Sequence, residues 1–127
     1  MIKSLIISKN PLTIKHILTS SISEYDSQKG VDEAIELIEG NVHVDGKFRM
    51  LIDVSEYSFD TLEARRIWSI QFKMNQSIQK KADLVAILGS PTEAFYTEKT
   101  WMETTRLKFF EKEQEAEIWL LETNFKQ

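Results

Sequence analysis

Cysteine is absent from this 127-residue sequence, which removes disulfides, thiolate metal sites and cysteine nucleophiles together. Histidine occurs twice, at His16 and His43. Two distant histidines and scattered carboxylates give no metal-ligand spacing, and no GxSxG elbow presents a serine to either imidazole. The four glycines, Gly30, Gly40, Gly46 and Gly89, form neither a GxGxxG turn nor a P-loop. Positive charge is in deficit, with 16 Lys+Arg against 20 Asp+Glu and a net charge of −4, so there is no basic footprint for nucleic acid. The longest unbroken apolar run, Leu84 to Leu88, falls far short of the ~20 residues of a membrane span. The opening MIKSLIISKN is apolar only in alternation and lacks a signal peptide's core. These absences predict a soluble, cytoplasmic, non-enzymatic protein without cofactor or metal.

Hydrophobic residues at 42% and charged residues at 28% are ordinary for a globular protein. This length fits one domain, residues 1–127, burying roughly two thirds of its unfolded surface. Short strands are expected at 4–8 and 16–22, separated by a turn at Asn10-Pro11. Within SQKGVDEAIELIEG, Val31, Ala34, Ile35 and Ile38 recur at helical spacing. After the Asp45-Gly46 turn, KFRMLIDV (47–54) reads as a strand. A second helix is expected from about Thr61 to Gln79. ADLVAILG (82–89) is apolar on both faces, as a central parallel strand must be. Ser90-Pro91-Thr92-Glu93 combines a capping box with proline at the first helical position, predicting a third helix. A strand at 107–110 and the helix KEQEAEIWLLE close the chain.

The order β-β-α-β-α-β-α-β-α predicts a mixed, mostly parallel five-stranded sheet with four helices, its first strand an antiparallel edge. That order, RMLIDVSEYS leading into helix two, ADLVAILGSP into helix three, and the ending LKFFEKEQEAEIWLLE resemble the SpoIIAA-like (STAS/SEC14-type) family over nearly the whole chain. The resemblance implies a STAS-like fold without established enzymatic activity. It also implies one of two roles: an anti-sigma-factor antagonist switched by phosphorylation, or a module that binds nonpolar ligands and associates with membranes.

Asp53 resembles the strand aspartate of the antagonist branch, and Asp60-Thr61 stands roughly where that branch carries its Asp-Ser-Ser-Gly turn. Here Leu62-Glu63 follows, with neither the second serine nor the glycine. Two readings stand. Asp60 and Glu63 form a reciprocal helix cap, or Thr61 is a phosphorylation switch.

Helix two carries a core stripe of Ala64, Ile67, Ile70, Met74 and Ile78, with Trp68 and Phe72 beside its edge. Arg65, Arg66, Lys73 and Lys80 make the segment locally basic, either a solvated face or a surface for anionic lipid or an acidic partner. On helix three, Ala94, Phe95, Trp101, Met102 and Thr105 share one side. Both helices start at the carboxyl ends of central strands, where open α/β sheets place ligands. A cleft lined by Trp68, Phe72, Phe95, Trp101 and Met102 is therefore expected to take a lipophilic ligand. The leading expectation is a lipophilic-ligand module in peripheral contact with a membrane. The alternative is a regulatory protein-interaction module controlled at Thr61, and a homodimer fits either.

Overall fold

The computed structural model describes residues 1–43, 46–73 and 75–124; for Lys73, Gln76, Ser77 and Gln79 only the backbone is described. Strands β1 (Ile2–Lys9) and β2 (Leu12–Ile22) pair antiparallel, and β3 (Phe48–Phe59), β4 (Ala82–Leu88) and β5 (Leu107–Phe110) follow in parallel, in the spatial order β1-β2-β3-β4-β5. Four helical segments cover this sheet: α1 (Glu24–Asn41), a second segment in three pieces, α4 (Glu93–Met102) and α5 (Glu113–Glu122). The fold expectation is met: a mixed sheet with one antiparallel edge.

The apolar pattern explains the layering. On one face, Ile14, Leu18, Ile22, Phe48, Met50 and Ile52 pack against Val31, Ala34 and Ile38 of α1. On the other, Leu51, Leu84, Ala86 and Leu88 pack against Ala116 and Leu120 of α5. Alternation along β3 and β4 thus feeds two cores, as a sheet covered on both faces requires. Gly30 marks where α1 comes closest to β1, because a Cβ there would lie 2.5 Å from the Ile2 Cβ. Arg49, 8% exposed, ties β3 to α5 by donating to the Leu120 carbonyl.

Three local expectations need correction. The second helix is not one helix from Thr61 to Gln79. It comprises α2 (Leu62–Ile67), a π-helical turn (Trp68–Lys73) and α3 (Gln76–Lys81), the last capped by Asn75. The wider π turn lets Trp68 and Phe72 stack, with centroids 4.3 Å apart and planes 19° apart, on the core side. This shifts the helical phase and leaves Ile70 59% exposed, whereas Ala64 and Ile78 are buried as expected. Met74 lies outside the described residues.

Strand β3 continues through Phe59 instead of ending near Val54. After a bulge, the far half of β2, Thr19–Ile22, offers it a partner from Glu56 to Phe59. Finally, α1 begins three residues earlier than the apolar spacing indicates. Ser23 accepts from the Asp26 N–H, and Asp26 accepts from the Ser23 N–H, a reciprocal cap.

Candidate functional site

Beyond the bulge, β3 delivers Tyr57 and Phe59 to the rim of the sheet, their rings edge to face at 5.5 Å. The Asp60 N–H still donates to the Ile22 carbonyl at 2.8 Å, so the chain leaves the sheet only after Asp60. Thr61 therefore becomes the helix cap, its Oγ1 accepting from the Ala64 N–H at 3.1 Å. The same hydroxyl donates to the Glu24 carboxylate at 3.3 Å and links α2 to the start of α1. The cap expected at Asp60 with Glu63 lies one residue further on. At α4 the cap moves two residues on, where Thr92 accepts from the Phe95 N–H, while the Ser90 hydroxyl donates to the Ser55 carbonyl.

A groove runs along this rim. Its outer part, about 550 Å³, is lined by Tyr57, Phe59, Thr61, Leu62 and Arg65. Its inner part, about 110 Å³, shares Tyr57, Phe59 and Arg65 and is closed by Trp68, Glu98 and Met102. Burial and the Glu98 carboxylate push the Tyr57 phenol above its usual pKa, and Arg65 partly opposes them. Leu62 is 71% exposed. The groove thus offers apolar side chains around one cation, Arg65, and two anions, Asp60 and Glu98, facing solvent.

Of the five residues expected to wall a ligand cleft, Trp68 and Met102 meet in the inner groove. Phe72 lies in the main core, and Phe95 is buried against Phe109, edge to face at 5.5 Å. Trp101 points away at 83% exposure. The stripe expected on helix three is mostly outside: Ala94, Trp101, Met102 and Thr105 are exposed, and α4 ends at Met102, before Thr105. Gly89 makes room for Phe95, since a Cβ there would come within 2.7 Å of its ring. The inner groove holds the volume of about four waters at ~30 Å³ each, below the ~300–1,000 Å³ of drug-sized ligand sites.

The expected basic surface is divided. Arg65 faces the groove, Arg66 is exposed and stands 3.9 Å from Glu63, and Lys80 is exposed beside β4. The Lys73 side chain lies outside the described residues. Asp53 serves its own strand, accepting from the Ser55 N–H at 3.0 Å and the Ser55 hydroxyl at 2.6 Å.

His16 is fully buried on β2, with Nδ1 2.7 Å from the Ser4 hydroxyl. Phe72 at 4.9 Å and Trp68 at 6.4 Å box the ring edge to face. Its Nε2 has no hydrogen-bond partner among the described residues. Burial lowers its pKa from 6.5 to about 3, so it stands neutral. Among the described residues, no cluster of three or more histidine, aspartate or glutamate side chains could hold a metal. No helix among them is long and apolar enough to cross a membrane.

No family model matches the sequence, and no curated protein is similar to it in sequence. Solved structures are similar in fold. A DUF3478-family protein with a SpoIIAA-like fold from Shewanella loihica PV-4 superposes with a TM-score of 0.68 at 19% identity, covering 94% of this chain and 95% of that one. The anti-sigma factor antagonist SpoIIAA in its unphosphorylated form gives 0.59 at 10% identity, covering 93% and 94%. The Bacillus cell fate determinant SpoIIAA in its phosphorylated form gives 0.56 at 8%, covering 91% and 96%. The chain has the SpoIIAA-like, STAS-type fold.

Proposed function

We propose that this chain is a non-enzymatic, regulatory protein-interaction module that docks its partner on the groove between the end of β3, α2 and α4. The observation that carries the reading is the composition of that rim. Leu62, Tyr57 and Met102 stand 71%, 42% and 44% exposed along one concave surface. Tyr57, Met102 and Arg65 are of the residue types enriched at protein interfaces, and exposed Leu62 adds apolar surface beside them. Solved relatives in fold include an anti-sigma factor antagonist, seen in unphosphorylated and phosphorylated forms, and a regulatory role of that kind fits an exposed docking rim.

Thr61 sits at the edge of this groove, exposed. A phosphate on its hydroxyl would replace the bond to Glu24 with repulsion from Glu24 and from Glu63 two residues on. Phosphorylation would therefore loosen the α1–α2 link beside the docking groove, which is a route to partner release.

The lipophilic-ligand reading is weaker. Two of its five wall residues, Phe72 and Phe95, are packed in the protein interior, and the inner groove is about 110 Å³. An acyl chain would have to displace Trp68 from the core. Peripheral membrane contact keeps one supporting feature, exposed Ile70 beside Arg66 in a shallow depression.

A photocrosslinking amino acid at position 62, with a control at exposed Ile118 on α5, tests the proposal in cells. The expected result is one discrete protein adduct from position 62, absent from position 118 and lost when Thr61→Glu is added. Adducts to lipid alone, or identical patterns from both positions, would overturn it.

A further inference from the structure

A second cavity, about 450 Å³, lies at the opposite end of the sheet. It is framed by the β1–β2 turn, the end of α1 and the start of β3, and its volume falls within the ~300–1,000 Å³ of small-molecule sites. Lys9, Lys47 and Arg49 line it together with Asn10 and His43, and among the described residues its only acid is Asp83. In a chain of net charge −4, three permanent cations against one carboxylate among the described lining residues reverse the local sign.

That carboxylate is already engaged. Asp83 accepts from Arg106 at 2.6 Å and stands 3.9 Å from the Arg49 guanidinium. Arg49 is held in place by the Leu120 carbonyl, so its orientation is set in advance. Lys47 Nζ is positioned by the Lys80 carbonyl at 2.8 Å. Lys9 pairs with Leu12 through its backbone, and its exposed side chain has no hydrogen-bond or ion-pair partner among the described residues.

We propose that this cavity binds a small phosphorylated molecule, its phosphate dianion held between Lys9, Lys47 and Arg49. Three permanent cations lining one cavity match the double charge and three oxygens of a phosphate monoester better than the single charge of one carboxylate. The open remainder of the cavity takes the organic part, with Asn10 and His43 as its polar neighbours. This site is separate from the docking groove, which stands at the other end of β3.

Titration of the full-length chain at low ionic strength, followed by amide chemical shifts, tests the assignment. The probes are inorganic phosphate, glycerol 3-phosphate and succinate. We expect saturable shifts confined to residues 9–12 and 46–49, with succinate weaker than either phosphate. Lys9→Glu and Lys47→Glu should each weaken phosphate binding about tenfold or more, and Lys9→Gln should weaken it less. Non-saturating or scattered shifts would overturn the proposal, as would succinate binding as tightly as glycerol 3-phosphate. A structural alternative is that these cations only offset the carbonyl end of α1, whose last turn has no basic residue of its own. In that case the charge reversals lower the melting temperature and leave phosphate affinity unchanged, which also overturns the proposal.

Discussion

His16 gives this protein a built-in acid sensitivity whose size can be worked out in advance. Folded, its imidazole is fully buried between Trp68, Phe72 and Ser4, with a pKa of about 3. Unfolded, it returns to its ordinary 6.5. Below 6.5 the unfolded chain binds a proton that the folded chain refuses, so stability falls as pH drops and goes on falling until pH approaches the folded pKa. Each pH unit costs about 1.4 kcal/mol. Between about pH 7 and pH 4.5 the loss from this residue is therefore about 2.5 kcal/mol, a large share of the ~5–15 kcal/mol typical of a domain.

The assay is urea unfolding across that range for wild type and His16→Asn, which retains an acceptor for the Ser4 hydroxyl but does not titrate. Carboxylate titrations are common to both proteins and cancel in the difference. The stability gap should shift by about 2.5 kcal/mol in favour of the variant as pH falls. Should the variant unfold outright, the wild-type His16 ring resonances give the same answer. They should keep neutral-imidazole shifts down to about pH 4.5 while the fold persists. A parallel pair of stability curves, or a His16 midpoint near its ordinary value in the folded protein, would refute the reasoning.

Other substitutions separate core from surface. Phe72→Ala should cost about 3–5 kcal/mol by leaving a cavity under the π turn, whereas Trp101→Ala should stay within about 0.5 kcal/mol; denaturant midpoints decide both. Thr61→Ala should cost about 0.5–2 kcal/mol through the lost cap, and Asp60→Ala should be close to neutral in the same assay. Gly30→Ala drives a methyl into Ile2 and should cost about 1–3 kcal/mol by overpacking, read as a lowered melting temperature.

The parts of the fold that could be read in advance are those where one local signal acts alone. Strand β4 is a continuous apolar run between polar turns, and β5 is four residues beside a charged helix start; both fall within a residue of expectation. The helix starts failed for a tertiary reason. DTLE and SPTE both match a capping box, but Asp60 is still hydrogen-bonded to Ile22 and Ser90 to Ser55. The following threonine caps instead. The helical wheel of the second segment failed because it assumes a constant 3.6-residue period, and a π turn breaks that phase between Ile67 and Ile78. Stacked Trp68 and Phe72 then enter the core and Ile70 turns out. An aromatic pair four apart next to a buried histidine is a signal that could have raised the alternative. The Ser23–Asp26 cap of α1 is legible in SEYD, ahead of the apolar spacing downstream. The cationic cavity was not legible, because Lys9 ends β1 while Lys47 and Arg49 stand at the start of β3, and the two segments meet only through the β1–β2–β3 register.

That register also predicts how the two surfaces relate. The outer docking rim lies where β3 ends, at Phe59, and the cationic cavity where it starts, at Phe48, eleven residues apart along one strand. At roughly 3.3 Å per residue the separation is about 35 Å, several times the ~7–10 Å beyond which mutational effects usually add. Strand β3 is central, paired with β2 from Arg49 to Phe59 and with β4 from Phe48 to Asp53, and this pairing favours independent ends. Leu62→Asp should therefore abolish partner crosslinking and leave phosphate affinity at its wild-type value. Lys9→Glu should do the reverse, and the double variant should show both losses with stability changes summing to within about 0.5 kcal/mol. Coupling larger than that would mean the ends communicate. One connection at hand is α1, which runs from the Thr61–Glu24 link at one end to Asn41 at the mouth of the cavity at the other. A Glu24→Gln change, which weakens that link without touching either surface, should then alter the coupling; with uncoupled ends it should alter stability alone.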